Sequence, residues 1–252
     1  MKIVTQISTI LADTKTPIGL YLALRDKFAM PVLLESSDYN TREGHFSYIC
    51  FDPIGSFSLN DGIVRTKIQK EIKEQQIDFD GKLLIKELNE FKNQFKVEKQ
   101  NVNFCYAGLF GYTSFDIVKY SENENLSTNK EEAKIPELFY HFYSMILVFD
   151  HNNNSLHIVS HALTKEKTLE QIQKVKNEIQ SSQVNPFPFK TISEESVSLS
   201  DDEFKSLVAK AKNHCQMGDV FQLVLSRRFK ISFSGDEFNV YRALKNINPS
   251  PY

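Results

Sequence analysis

Tryptophan is absent from the 252 residues, and cysteine occurs only three times. Cys50, Cys105 and Cys215 are odd in number and widely spaced, so they offer no disulfide framework and read as buried thiols in a reducing compartment. No run of 18 apolar residues occurs, which excludes an apolar spanning helix, and Met1 to Gln6 carries one lysine and no signal-peptide pattern. A cytoplasmic protein with no membrane partner is expected. Charge of one sign is also lacking: 30 Lys and Arg face 32 Asp and Glu, a formal net charge of -2. With the basic residues scattered, no nucleic-acid partner is expected. Phosphate loops, dinucleotide glycine fingerprints and nucleophile elbows are missing, which disfavours nucleotide binding and serine-hydrolase chemistry. The six histidines lack ligand spacing. His157 and His161 are four apart in what reads as a strand, roughly 13 Å at about 3.3 Å per residue, too far to share an ion.

What is present fits a folded domain. A hydrophobic fraction of 41% and a charged fraction of 25% are ordinary for a globular chain long enough for one large or two small domains. Thr16-Pro17 opens a helix through Phe28, with proline where its missing N–H costs nothing. Pro31 to Leu34, Phe46 to Cys50, Ser56 to Leu59 and Ile63 to Lys67 read as an antiparallel meander. Within it, Asn60-Asp61-Gly62 is a hairpin signal. Leu84, Leu88, Phe91 and Phe95 line one face of a helix from about Asp80 to Lys96 that covers the sheet. Tyr106 to Tyr112 is expected as a strand whose two glycines, Gly108 and Gly111, admit close approach to the backbone. Leu138 to Phe149 and Ser155 to His161 form a second hairpin, and Thr168 to Ile179 another helix.

Ser181 to Val197 lacks helical period and carries Pro186 and Pro188, so it reads as a surface linker. The expected organisation is a first domain over 1–180, a linker over 181–199, and the start of a second domain over 200–252. Ser200-Asp201-Asp202-Glu203 is a capping box, and Gly218 ends the helix that follows. Val220 to Phe229 alternates as a strand, a helix runs from about Asp236 to Asn246, and Asn248-Pro249-Ser250-Pro251-Tyr252 is a stiff turn of the kind that leads into a strand. None follows, so the chain is expected to be the front part of a longer protein. The fold class is α+β: mainly antiparallel sheets covered by helices, the first part of a two-layer β-sandwich flanked by helices.

Four of these segments, in this order, carry a resemblance. They are Leu33-Leu34-Glu35-Ser36, Ser47 to Pro53, Ala107 to Tyr112, and Gly218 to Phe229 with the Asn248 to Tyr252 turn. The sequence resembles anthranilate synthase component I, of the chorismate-utilising enzymes, over nearly its whole length. The resemblance implies conversion of chorismate to anthranilate and pyruvate, with ammonia released from glutamine by a partner amidotransferase subunit, component II. It also implies Mg²⁺ on the substrate. The family's catalytic and metal residues lie in its later half, so no catalytic residue is assigned here, no cofactor is expected on these residues, and the chain alone is expected to be inactive.

Feedback control by L-tryptophan is better represented. The resemblance maps an allosteric tryptophan site onto Leu34, Glu35 and Ser36 and onto Asn248, Pro249, Ser250, Pro251 and Tyr252. An amino-acid zwitterion needs an acceptor for its ammonium, which Glu35 or a backbone carbonyl supplies, and an apolar slot for its indole, walled by Leu34 and Pro251. Arg227 and Arg228 point opposite ways on a strand, one to solvent and one to an acid, and receive no catalytic role. Two alternatives remain open: para-aminobenzoate synthase component I, which shares most of these motifs, and a non-catalytic tryptophan-binding module.

Overall fold

The computed structural model describes residues 1–35, 45–121, 135–181 and 188–248. The chain divides into a larger unit built on Met1–Asn185 and a smaller one built on Pro186–Pro249.

The larger unit is one mostly antiparallel sheet with helices against it. Its elements run β1 (Lys2–Leu11), α1 (Pro17–Leu24), β2 (Val32–Leu34), β3 (Phe46–Asn60), β4 (Ile63–Ile68), β5 (Glu71–Gln76), α2 (Gly81–Asn93), β6 (Lys96–Val97), β7 (Phe110–Thr113), a 3-10 helix (Phe115–Tyr120), β8 (Leu138–Asp150), β9 (Ser155–Ala162) and α3 (Lys165–Ser181). The hydrogen-bonded order is β5-β4-β3-β8-β9-β1-β6, with β2 added to β3 and β7 to β8. The pairings are antiparallel apart from β1 with β6. The expectation of an α+β protein with a mainly antiparallel sheet covered by helices therefore holds.

Local chemistry explains the punctuation. Thr16 Oγ1 accepts the Gly19 N–H at 3.0 Å to start α1, with Pro17 in the first turn. Asp61 and Gly62 both have positive φ, 51° and 79°, so the β3–β4 hairpin closes through the two-residue turn that matches strand twist. The Asp80 carboxylate accepts from Lys82 and Leu83 to cap α2. Two strands expected separately, Phe46 to Cys50 and Ser56 to Leu59, are one strand whose register shifts between Pro53 and Gly55. Pro53 has no N–H to give the ladder, and Asp52 takes a positive φ of 55° beside it, so the chain bulges instead of stopping.

Strand β8 is buried along almost its whole length, and it feeds three apolar clusters. Met145, Leu147 and Phe149 pack with α1 and α3 through Leu20, Leu24, Ile172 and Val175. Leu138 and Phe142 pack with Phe57, Leu59 and the α2 residues Leu84 and Phe91. Tyr143, Ile146 and Val148 pack with Tyr48, Cys50, Phe104 and Phe110. Each such side chain contributes about 1.5–3 kcal/mol by leaving water.

In the smaller unit, α4 (Asp201–Met217) begins at the expected capping box, Ser200 bonding Glu203 in both directions, and ends at Gly218 with φ 83°. Two short strands inside the stretch read as a linker, β10 (Phe189–Thr191) and β11 (Ser196–Val197), pair with β13 (Phe233–Gly235) and β12 (Phe229–Lys230). Helix α5 spans Phe238–Ile247. The expected strand over Val220 to Phe229 is a correction: only Phe229 enters a ladder, and Phe221 and Val224 are open to solvent. Alternation alone leaves a strand's N–H and C=O groups unsatisfied, and among the described residues no strand ladder takes in 220–228, although Arg228 and Ser198 bond each other in both directions at 2.9 Å. Arg227 does meet an acid, Asp201, at 2.6 Å.

Candidate functional site

Leu34 ends β2 opposite Tyr48 of β3 and packs against the cluster of Tyr48, Cys50, Phe104, Phe110 and Tyr143. Three of the four sequence segments thus meet here: the Leu33–Glu35 strand tip, the Ser47–Pro53 strand and the Ala107–Tyr112 segment. Glu35 follows at the strand end and is only 6% exposed. A carboxylate held that far from water is stable only where charge or hydrogen bonds answer it, the setting in which an ammonium is bound strongly.

The third segment is held at several points. Phe110 lies 6.1 Å from the Tyr48 ring, and the Cys105 N–H donates to Tyr48 Oη at 3.3 Å. Tyr106 Oη accepts the Gln100 N–H at 3.1 Å, and its carbonyl lies 2.8 Å from His161 Nε2. Gly111 is required by contact. A Cβ there would stand 1.9 Å from the Phe139 carbonyl oxygen across the β7–β8 ladder. At Gly108 the expectation of close packing fails, because a Cβ would meet only Cys105 Sγ at 3.8 Å.

Burial sets the electrostatics. It pushes the Cys50 thiol up, with Cys105 adding to the effect. The Tyr143 phenol is likewise raised by burial, then by Cys50 and Tyr21. Cys105 and Cys215 are exposed, correcting the expectation of three buried thiols: the apolar neighbours of Cys105 turn inward while its own backbone forms the tether to Tyr48. His141, His157 and His161 are all held below the usual imidazole range by burial.

Of the eight positions expected to bind tryptophan, Leu34 and Glu35 sit at this site. Asn248, in the smaller unit, follows α5 and donates its N–H to the Leu244 carbonyl at 2.8 Å. Ser36, Pro249, Ser250, Pro251 and Tyr252 lie outside the described residues. Among the described residues no three His, Cys, Asp or Glu side chains converge as metal ligands, so those residues do not fit a Mg²⁺ site. His157 and His161 both lie in β9, and each bonds its own threonine, Thr9 and Thr5, at 2.9 Å. Sequence alone gives His161 no partner, because its partners lie 156 and 55 residues away. A Thr-x-x-x-Thr run opposite a His-x-x-x-His run becomes a signal only once β1 and β9 are known to pair.

A family profile described as chorismate binding enzyme matches residues 31–252. The chain belongs to the chorismate-binding enzyme family. It is 28% identical to anthranilate synthase component 1 of Lactococcus lactis, over 98% of this chain and 53% of that protein. It is 29% identical to aminodeoxychorismate synthase component 1 of Bacillus subtilis, over 88% of this chain and 46% of that one. Its fold matches the crystal structure of anthranilate synthase component I from Streptococcus pneumoniae, with a TM-score of 0.61 at 22% identity, covering 96% of this chain and 53% of the other. The chain therefore spans about half the length of these relatives. Among the described residues no helix is long and apolar enough to cross a membrane.

Proposed function

We propose that this chain belongs to the large subunit of an anthranilate synthase, which converts chorismate and ammonia to anthranilate, pyruvate and water. In this reading the ammonia comes from glutamine on an amidotransferase subunit, Mg²⁺ is supplied elsewhere in the full-length protein, and these 252 residues alone do not turn chorismate over. Tryptophan is the feedback inhibitor. Its ammonium is received by Glu35 and its indole lies against Leu34, and Asn248 to Tyr252 are the further positions that the resemblance assigns to it. Bound there, it shifts a two-state equilibrium toward a less active form, as a ligand with unequal affinity for two states must.

One observation carries the reading: Glu35 is buried at the tip of a strand whose last apolar residue, Leu34, lies on an aromatic cluster. A carboxylate beside a flat apolar surface is the complement of an aromatic amino acid. The decisive experiment feeds the full-length protein chorismate and ammonia with Mg²⁺ and identifies the product. Anthranilate formation that tryptophan inhibits supports the proposal. A product that yields para-aminobenzoate, insensitive to tryptophan, supports the second reading, which the Bacillus subtilis relative keeps in play.

A further inference from the structure

Resting on the tryptophan-site reading above, we infer that His161 is a positioning residue for that site: as a neutral imidazole it fixes the 106–112 segment as the wall of the aromatic cluster on which Leu34 lies.

His161 is fully buried and bonded on both sides. Its Nε2 lies 2.8 Å from the Tyr106 carbonyl oxygen and its Nδ1 lies 2.9 Å from Thr5 Oγ1. A carbonyl only accepts, so Nε2 carries the proton and donates. In the neutral ring Nδ1 then accepts from the threonine hydroxyl, and one tautomer satisfies both contacts. The elements packed on the ring bring no charge to it. Thr5 comes from β1, the Phe142 ring of β8 lies 5.5 Å away, and the chain before β7 presents only the Tyr106 carbonyl. Burial, the larger effect, opposes the imidazolium, and only the Tyr106 carbonyl favours it.

The position explains what this bond does. Strand β8 pairs with β9 from Asp150 back to Met145, opposite Ser160, and with β7 only from His141 onward. At 142–144 the sheet forks, and the next residue of β9 is His161. The stretch from Tyr106 to Leu109 enters this fork outside any ladder, then becomes β7 at Phe110. The imidazole therefore substitutes for the missing ladder bond. Tyr106 and Phe110 are the residues this segment contributes to the Leu34 cluster. A slot for a flat ring works only if its wall is held within about 0.5 Å, which needs such support behind it.

The test compares full-length variants by tryptophan titration and by hydrogen exchange of residues 106–112. His161→Leu keeps neither bond, whereas His161→Gln reaches the Tyr106 carbonyl with its amide. The expected result is affinity about tenfold weaker for the leucine variant, the scale of one lost buried hydrogen bond, with the glutamine variant restored to within about threefold of the parent. Exchange in 106–112 quickens in the leucine variant alone. Unchanged affinity and exchange in the leucine variant overturn the inference, as does glutamine performing no better than leucine. Should leucine not fold, His161→Asn, too short for the carbonyl, takes its place. Failure of all three to fold marks the residue as purely structural and overturns the inference too. If the parent itself binds no tryptophan, the site reading fails, while the exchange arm still reports whether His161 holds the segment.

Discussion

The Glu137 carboxylate accepts the backbone N–H of Asp61 at 2.9 Å, so an acid at the entrance to β8 caps the hairpin turn between β3 and β4. The same carboxylate takes Lys119 Nζ at 2.5 Å, and Tyr120 Oη, 3.5 Å away, receives the Gly62 N–H at 2.8 Å. Burial is the first cause that raises the Tyr120 phenol, so it stays a neutral donor here. Glu137→Ala removes the turn cap and strands a largely buried ammonium. A loss of about 3–5 kcal/mol is expected, read as a lower urea midpoint at unchanged slope. A loss below about 1 kcal/mol contradicts this account.

Gly111→Ala places a methyl group where the Phe139 carbonyl already stands. The β7–β8 ladder has to open, at a cost of about 1–3 kcal/mol or more. Gly108→Ala, whose methyl would make only an ordinary contact with Cys105 Sγ, is expected to fall within about 0.5 kcal/mol of the parent. Thermal unfolding of the two variants side by side checks the contrast.

Acid sensitivity follows from the buried histidines. The folded-state value of His161 lies below the unfolded value of about 6.5, so the unfolded chain takes up the proton first. This contribution to stability is complete above about pH 6.5 and is lost progressively as pH falls from there toward the folded value. The slope from His161 alone approaches about 1.4 kcal/mol per pH unit at most. Urea midpoints measured from pH 8 down to pH 5 are expected to fall, and to fall less steeply in His161→Gln.

Glu35→Gln in the full-length protein keeps the shape of the strand tip and removes its charge. Loss of one charge-assisted bond, about 1.5–3 kcal/mol, is expected to raise the tryptophan concentration for half inhibition roughly ten- to hundredfold, with uninhibited turnover preserved. Ser36→Phe is expected to abolish the inhibition. A Glu35→Gln enzyme as sensitive as its parent would remove Glu35 from the site.

Much of the fold was legible because local chemistry decides it. The Asp61-Gly62 turn, the Ser200–Glu203 capping box and the Leu84–Phe91 stripe each name their element from a few neighbouring residues. Strand β5, Glu71–Gln76, was not legible, because all six residues are exposed and no apolar alternation marks them. Strand β1 hides for a related reason: Thr5 sits buried where an apolar residue is expected, and the Thr5 and Thr9 hydroxyls answer His161 and His157 across the ladder. At the candidate site, Leu34 and Glu35 were named by resemblance and not by any local signal. The His161 to Tyr106 bond was not, since nothing local in the sequence joins residues 55 apart.

Strand β8 gives side chains to all three apolar clusters, from Leu138 beside the braced hairpin to Val148 beside the strand tip. The larger unit is thus built around a single keel, and no cluster can melt without loosening the other two. A molecule that settles at one end tightens the whole hull, so its occupancy can be followed from an unfolding reporter placed at the other.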